Sequence, residues 1–423
     1  MLKMPNLRAS LLATVLAIPL AGIAALTLPS EAVAQAQAPA QAPVGGWRKE
    51  VADKVKSAQE AGNKGNFSES IRLLKEAKAK APLSPQEEQG VNEYLIYAAS
   101  SAKDHRLVLQ TVDERLATGR VTGADLVRKL RLKATTHYLL GDYRGAVAAF
   151  DKLIAAQGSA TADDLIQLGN AQLVLRDFRA AIPTLEKAIV AAQKAGKPAT
   201  TIGKLLEGLN SAYHETKNVA KRVQTLHRLM AVAPKAKVFE QLASAYEVES
   251  KKDPVVMINV YRLGASRGLL SAGHYAKYAE VALDLASPGE AVAMLEKGMA
   301  TGAIKKDDRN NRLLTDAKSQ IDRLKKGLAQ LEKETMATKN GEAEAKLAIA
   351  YFTLKNYAKA VEAGKRGIDE GKLRRADDLN MLLGIALVES KKPAEAKNAF
   401  KAAAAANNEK MRGIADLWSS TAA

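Results

Sequence analysis

The chain of 423 residues contains no cysteine. That single absence excludes structural disulfides, thiolate metal ligands, thiol nucleophiles and lipid attachment at a cysteine. Aromatic residues make up only 4% of the chain and two of them are Trp, Trp47 and Trp418. With alanine abundant, this composition favours helices over sheets. The five histidines, His105, His137, His214, His227 and His274, include no pair at i, i+4, the spacing that puts two metal ligands on one helix face. The four Gly-Lys pairs run on into Pro198, Leu205, Arg366 and Leu373, so a phosphate-cradling P-loop is excluded. "GASRG" at Gly264–Gly268 matches the outline of a nucleophile elbow. The residues before it, "VMINVYRL", continue a helix rather than a strand, so Ser266 lacks the setting its chemistry needs. No catalytic residue, metal or cofactor is expected.

What the chain does have is positive charge and an apolar start. Net charge is +17, which favours anionic partners such as acidic proteins, phospholipid headgroups or envelope polysaccharide. The cations are spread along the sequence, with "KLRR" at Lys372–Arg375 the densest group and no aromatics interleaved, so nucleic acid is not an expected ligand. Lys3 and Arg8, the run "LLATVLAIPLAGIAALTL" and the small residues Ala32-Val33-Ala34 read as a signal peptide over 1–34. The alternatives are an N-terminal membrane anchor or full secretion; the bacterial periplasm is the expected location. The Ala/Pro/Gln-rich stretch 35–46 reads as a flexible linker.

A phrase recurs. "LLGDYRGAVAAFDKLIA" (Leu139–Ala155) returns as "VLRDFRAAIPTLEKAIV" (Val174–Val190), offset by 35 residues. Asp142 falls on Asp177, Tyr143 on Phe178, Ala146 on Ala181 and Phe150 on Leu185. Weaker echoes begin at Gly65, Lys355 and Lys391, with the small residues Ser70, Ala360 and Ala396 in register. Upstream of the second copy, Leu165, Leu168, Gly169 and Leu173 share one helix face. Each unit is therefore a helix, a tight turn and a second helix, with Pro82 and Pro234 placed where second helices stop. The paired carboxylates Asp163-Asp164 and Asp377-Asp378 sit where first helices start and serve as caps.

On these residues the chain resembles the tetratricopeptide-repeat family: Leu165, Leu168, Gly169, Ala181, Leu185 and Ala188 follow its pattern, and the period is near that family's. The resemblance implies an all-α, right-handed superhelical solenoid of helix-turn-helix repeats. Units are expected to start near Asp53, Val127, Thr161, Gly203, Ala236, Ala272, Gly341 and Asp377, giving repeats over 47–303 and 341–423. Pro85 to Gly123 reads as an irregular helical stretch, Pro183 should kink its helix, and an insertion of about two residues is expected around Asp253. Leu314, Ala317, Ile321, Leu324, Leu328 and Leu331 predict one long helix within 304–340 whose stripe packs on the solenoid, a dimer seam being the less favoured reading.

The resemblance also implies a groove lined by first helices, at Arg131, Thr135, Tyr138, Ile166, Asn170, Leu173, Lys204, Ser211 and His214. Arg131, Asn170 and Lys204 partly match the family members that clamp a C-terminal carboxylate. The expected function is that of an exported, non-enzymatic adaptor that binds another envelope or secreted protein, an acidic peptide being one ligand the groove would suit. The alternative is a basic-surface factor that contacts anionic polysaccharide or membrane.

Overall fold

A computed structural model describes residues 46–80, 82–406 and 408–420. The expected signal peptide and all but the last residue of the linker lie outside the described residues. Among those described there are twenty helices and no strands. They fall into two compact units, one ending at Asp177 and the other beginning at Phe178.

The first unit contains α1 (Lys49–Asn63), α2 (Phe67–Lys78), α3 (Pro85–Ser101), α4 (His105–Ala117), α5 (Gly123–Leu139), α6 (Tyr143–Gln157) and α7 (Ala162–Val174). Consecutive helices pack on one another through α7, as expected when each buries one apolar stripe against its neighbours. The turns inside the hairpins share one construction. A residue with positive φ, such as Gly65, Lys103 or Gly141, reverses the chain. The next residue, Asn66, Asp104 or Asp142, caps the second helix by accepting a backbone N–H three positions on. The stretch from Pro85 to Gly123, read as irregular, is a regular hairpin. Helix α3 carries Pro85 at its first position and a capping box in which the Ser84 hydroxyl and the Glu87 carboxylate satisfy each other's backbone N–H. The periodicity is blurred because Val91, Tyr94, Leu95, Ile96, Ala98 and Ala99 are all buried, more of the circumference than one stripe.

The second unit contains α8 (Phe178–Lys194), α9 (Ala199–Glu215), α10 (Val219–Val232), α11 (Ala236–Glu249), α12 (Pro254–Ser266), α13 (Ala272–Asp284), α14 (Pro288–Ala300), α15 (Asp308–Thr338), α16 (Gly341–Thr353), α17 (Tyr357–Glu370), α18 (Ala376–Glu389), α19 (Pro393–Ala405) and α20 (Glu409–Ser419). Helix α8 runs through Pro183. Both Pro183 and Arg179 are exposed, so water can serve the Arg179 carbonyl that the proline leaves without a donor. The insertion near Asp253 is absorbed by two successive residues with positive φ, Lys251 and Lys252, before Asp253 caps α12. Ser266 ends α12 and donates to the Leu263 carbonyl at 2.9 Å, a helix-terminal contact.

The second unit also departs from a simple stack. The 31-residue α15 packs on α14 and α16, and the hairpins after it return to the earlier helices. Helix α16 reaches α14, and α20 packs on α10 and α12. Gly289 donates its backbone N–H to Thr353 Oγ1 at 2.7 Å, and a Cβ at Gly289 would lie 1.9 Å from the Thr353 carbonyl oxygen. Tyr246 donates its hydroxyl to the Lys410 carbonyl at 2.9 Å, and Arg267 reaches the Leu417 carbonyl at 2.7 Å. Along α15 the predicted stripe is mostly half-buried: Ala317 is buried, whereas Leu314, Ile321, Leu324, Leu328 and Leu331 are partly exposed.

Candidate functional site

In the first unit, first helices are tied to their neighbours by charge. Arg48 grips the buried Glu87 of α3 with both backbone and guanidinium, and the guanidinium hydrogen bonds pull that carboxyl down to about 2. Lys129 on α5 donates to Glu93 on α3 at 2.6 Å. Arg131 on α5 donates from Nε and Nη2 to the two carboxylate oxygens of Asp164 on α7, at 2.9 and 3.0 Å, and also to Gln157. Asp164 is buried and is at the same time the reciprocal cap of α7 with Thr161.

That geometry revises the expected carboxylate clamp. A bidentate arginine–carboxylate pair is among the strong charge-assisted arrangements, so Arg131 is already engaged by a carboxylate of its own chain. Thr135, Ile166, Asn170 and Leu173 are buried rather than open, and every residue of α7 from Asp164 to Leu173 is buried. Tyr138 is half-buried and packs edge-on against Tyr143 at 5.4 Å between ring centres. Its hydroxyl has no hydrogen-bond partner, and neither has the Asn170 amide nitrogen. Burial pushes the Tyr138 phenol up, while the nearby Asn170 amide opposes that shift. Gln167 Oε1 and Gln172 Oε1 on α7 are likewise buried without partners. Leu139 and Leu140 at the end of α5, and Leu175 just after α7, are exposed apolar residues. The remaining expected positions, Lys204, Ser211 and His214, belong to α9 of the second unit. There Lys204 and His214 are exposed and Ser211 is half-buried. Desolvation, with Arg222 adding to it, lowers the His214 pKa.

The second unit holds a polar cluster that periodicity does not reveal. Arg262, buried on α12, donates to Glu290 on α14 at 2.9 and 2.8 Å and to Asn259 at 3.2 Å. Tyr278 and Ser287 donate to the same carboxylate. Asn259 donates to Asp378 on α18 at 2.9 Å, and the Arg262 guanidinium lies 5.2 Å from the Phe352 ring centre. Burial alone would raise the Glu290 pKa, but the Arg262 charge and hydrogen bonds hold it below the ordinary value. Asp378 lacks a guanidinium partner of that kind and is raised by burial. Nearby, His227 on α10 stacks on Tyr246 and its Nε2 lies 2.8 Å from the Tyr246 hydroxyl. Because that hydroxyl's one proton goes to Lys410, the imidazole donates from Nε2. Burial pushes the His227 pKa down to about 4.

Among the described residues no group of three or more His, Asp or Glu is placed to hold a metal ion, and no helix is long and apolar enough to cross a membrane. No family model matches the chain and no curated protein matches it. Solved structures do. A tetratricopeptide-repeat protein from Parabacteroides merdae is 15% identical, covering 64% of this chain and 99% of its own, with a TM-score of 0.34. The C-terminal part of a tetratricopeptide-repeat protein from Cytophaga hutchinsonii is 16% identical, covering 75% of this chain and 100% of its own, with a TM-score of 0.32. The yeast Sti1 TPR2AB domain in complex with pHSP90 is 14% identical, covering 71% of this chain and 100% of its own, with a TM-score of 0.25. The all-α, tetratricopeptide-like hairpin arrangement stands on the chain's own helices and turns.

Proposed function

We propose that the protein is a non-enzymatic scaffold that binds a segment of another protein on the first-helix side of its first unit, between α5 and α7. The observation that carries this reading is the set of unmet hydrogen-bonding atoms there. Tyr138 Oη and Asn170 Nδ2 lie near each other without a hydrogen bond of good geometry, Gln167 Oε1 is a buried acceptor without a donor, and exposed Leu139, Leu140 and Leu175 lie on the same helices or their ends. Buried polar atoms without partners are rare in folded proteins, and a peptide backbone supplies both kinds of complement. Since Asp164 already occupies Arg131, the segment favoured at this point is neutral or mixed rather than strongly acidic. Export to the bacterial periplasm belongs to the same reading and rests on Lys3, Arg8 and the apolar run after them; the partner would then be an envelope protein.

The test places a photo-crosslinking phenylalanine at Tyr138 of the full chain, expressed in its native host, with the same group at exposed Lys152 on α6 as the comparison. One discrete protein adduct from position 138, absent from position 152, is expected. An identical smear from both positions, or no adduct from 138, would contradict the reading.

A further inference from the structure

The hairpins share a register set by the residue that caps the second helix. Eight residues before that cap and four after it, the chain places small residues that let the two helices approach closely. They are Ala134 and Ala146 in α5–α6, Ala279 and Ala291 in α13–α14, and Ala348 and Ala360 in α16–α17. All six are fully buried. The hairpin of α9 and α10, capped by Asn218, holds Asn210 and Arg222 at the same two positions. No other hairpin among the described residues carries a charged side chain at either. Close packing favours a small residue there, and a partly buried charge has a desolvation cost, so the needs of the fold do not explain the arginine.

The arginine is held but not neutralised. Arg222 is half-buried and donates from Nε to Asn210 Oδ1 at 3.2 Å, while the buried Asn210 donates from Nδ2 to Gln241 Oε1 on α11 at 3.2 Å. The direction of this relay leaves donors at both ends. Neither Nη nitrogen of Arg222 nor the Gln241 amide nitrogen meets an acceptor among the described residues. The other buried or half-buried arginines are engaged. Arg115, Arg131, Arg262, Arg366 and Arg375 each lie 3.9 Å or less from a carboxylate oxygen, and Arg267 donates to the Leu417 carbonyl. Nothing of that kind offsets the burial of Arg222, whose pKa desolvation lowers. After desolvation, the Arg222 charge is the next cause of the lowered His214 pKa, with Glu215 opposing it.

We propose that Arg222 and Gln241, at the junction of α9, α10 and α11, bind a single carboxylate of a polypeptide, presented as an acidic side chain or as a chain end. The two terminal guanidinium nitrogens offer parallel donors to two carboxylate oxygens. Gln241 adds a neutral third donor, and one cation balances one negative charge. A phosphate group carries nearly two charges at neutral pH, which a lone guanidinium leaves half-balanced. The site is separate from the α5–α7 face and does not rest on that reading.

The experiment follows arginine side-chain NMR signals of the full chain labelled with 13C and 15N in arginine, the Arg222 signal being assigned by its loss in Arg222→Lys. The probes are N-acetylglutamate α-methylamide, whose carboxylate is a side chain, N-acetylalanine, whose carboxylate is a chain end, and inorganic phosphate. The Arg222 signal is expected to shift saturably with at least one acid, with a Kd on the order of 1 mM, the strength of two or three charge-assisted hydrogen bonds. The tighter acid names the source. The His214 pKa is expected to rise in the same titration, as the carboxylate cancels the Arg222 charge. Asn210→Ala with Arg222→Ala gives this hairpin the small pair of the others; there the His214 response is expected to vanish while the urea midpoint stays level or rises. An Arg222 signal no more responsive than that of exposed Arg228 would overturn the proposal, as would saturation by phosphate at lower concentration than by either acid. A lower urea midpoint in the double variant with the His214 response intact would also overturn it and make Arg222 a packing residue.

Discussion

The polar bridges of the two units differ in reach. In the first unit they connect neighbouring helices, such as Lys129 to Glu93 and Arg131 to Asp164, 36 and 33 residues apart. In the second they also join residues 119, 150 and 164 apart, as Asn259 to Asp378, Arg267 to Leu417 and Tyr246 to Lys410. One repeat grammar therefore builds a linear stack in one region and a stack closed by its own C-terminal hairpins in the other. The long α15 lies inside the second unit and marks the difference: it interrupts the hairpin rhythm, and the hairpins after it pack back on the earlier helices.

The largest expected effect tests the closure at its buried charge pair. Arg262→Met leaves Glu290 buried without its cation and should cost the second unit about 3–5 kcal/mol in urea unfolding, while Arg262→Met with Glu290→Met should recover most of the loss. Hydrogen exchange in the first unit should not change. Next, Gly289→Ala forces a methyl into the Thr353 carbonyl. It should destabilise by about 1–3 kcal/mol, as overpacking does, and raise exchange in α16 to α20 first.

Acid provides a third test. His227 is near pKa 4 in the folded chain, below its value of 6.5 when unfolded. Below pH 6.5 the unfolded state takes up the proton and the folded state does not, so stability is lost as pH falls from 6.5 towards 4. Full burial would make this about 3 kcal/mol, and the residue's partial exposure reduces it to about 2 kcal/mol. His227→Phe should remove the largest part of that slope, leaving smaller losses of the same sign from His214 and His274, whose pKa values desolvation also lowers, and the losses near and below pH 4.5 from carboxylates such as Glu290 and Asp377, whose pKa values are held down by their arginine partners. The smallest effect is a gain. Lys217→Gly relieves a left-handed side chain (φ 57) and should stabilise by up to about 1 kcal/mol in urea unfolding.

Helix identity and repeat phase were legible because Leu165, Leu168, Gly169, Ala181, Leu185 and Ala188 are spaced by contacts between adjacent helices. The hairpin of α3 and α4 was hidden by burial on more than one face, although the Ser84-Pro85-Gln86-Glu87 capping box marked its start. The closure was not legible. Asn259, Arg267 and Gly413 meet partners set by the path of the chain after α15, and such contacts leave no period. Gly413 is the exception that could have drawn notice, since a Cβ there would lie 1.8 Å from the His227 ring. The expected clamp at Arg131 failed to foresee Asp164 as its occupant, although that acid had been placed as a helix cap.

The absence of cysteine makes the decisive measurement simple. Spin labels at Asp253→Cys and Arg375→Cys, residues whose side chains approach to 3.5 Å, would report the distance between the turn before α12 and the turn before α18 in the full chain. Closure predicts a short, narrow distance distribution at pH 7 that broadens in Arg262→Met. A long or broad distribution in the unaltered chain would contradict it, leaving the second unit an open array like the first.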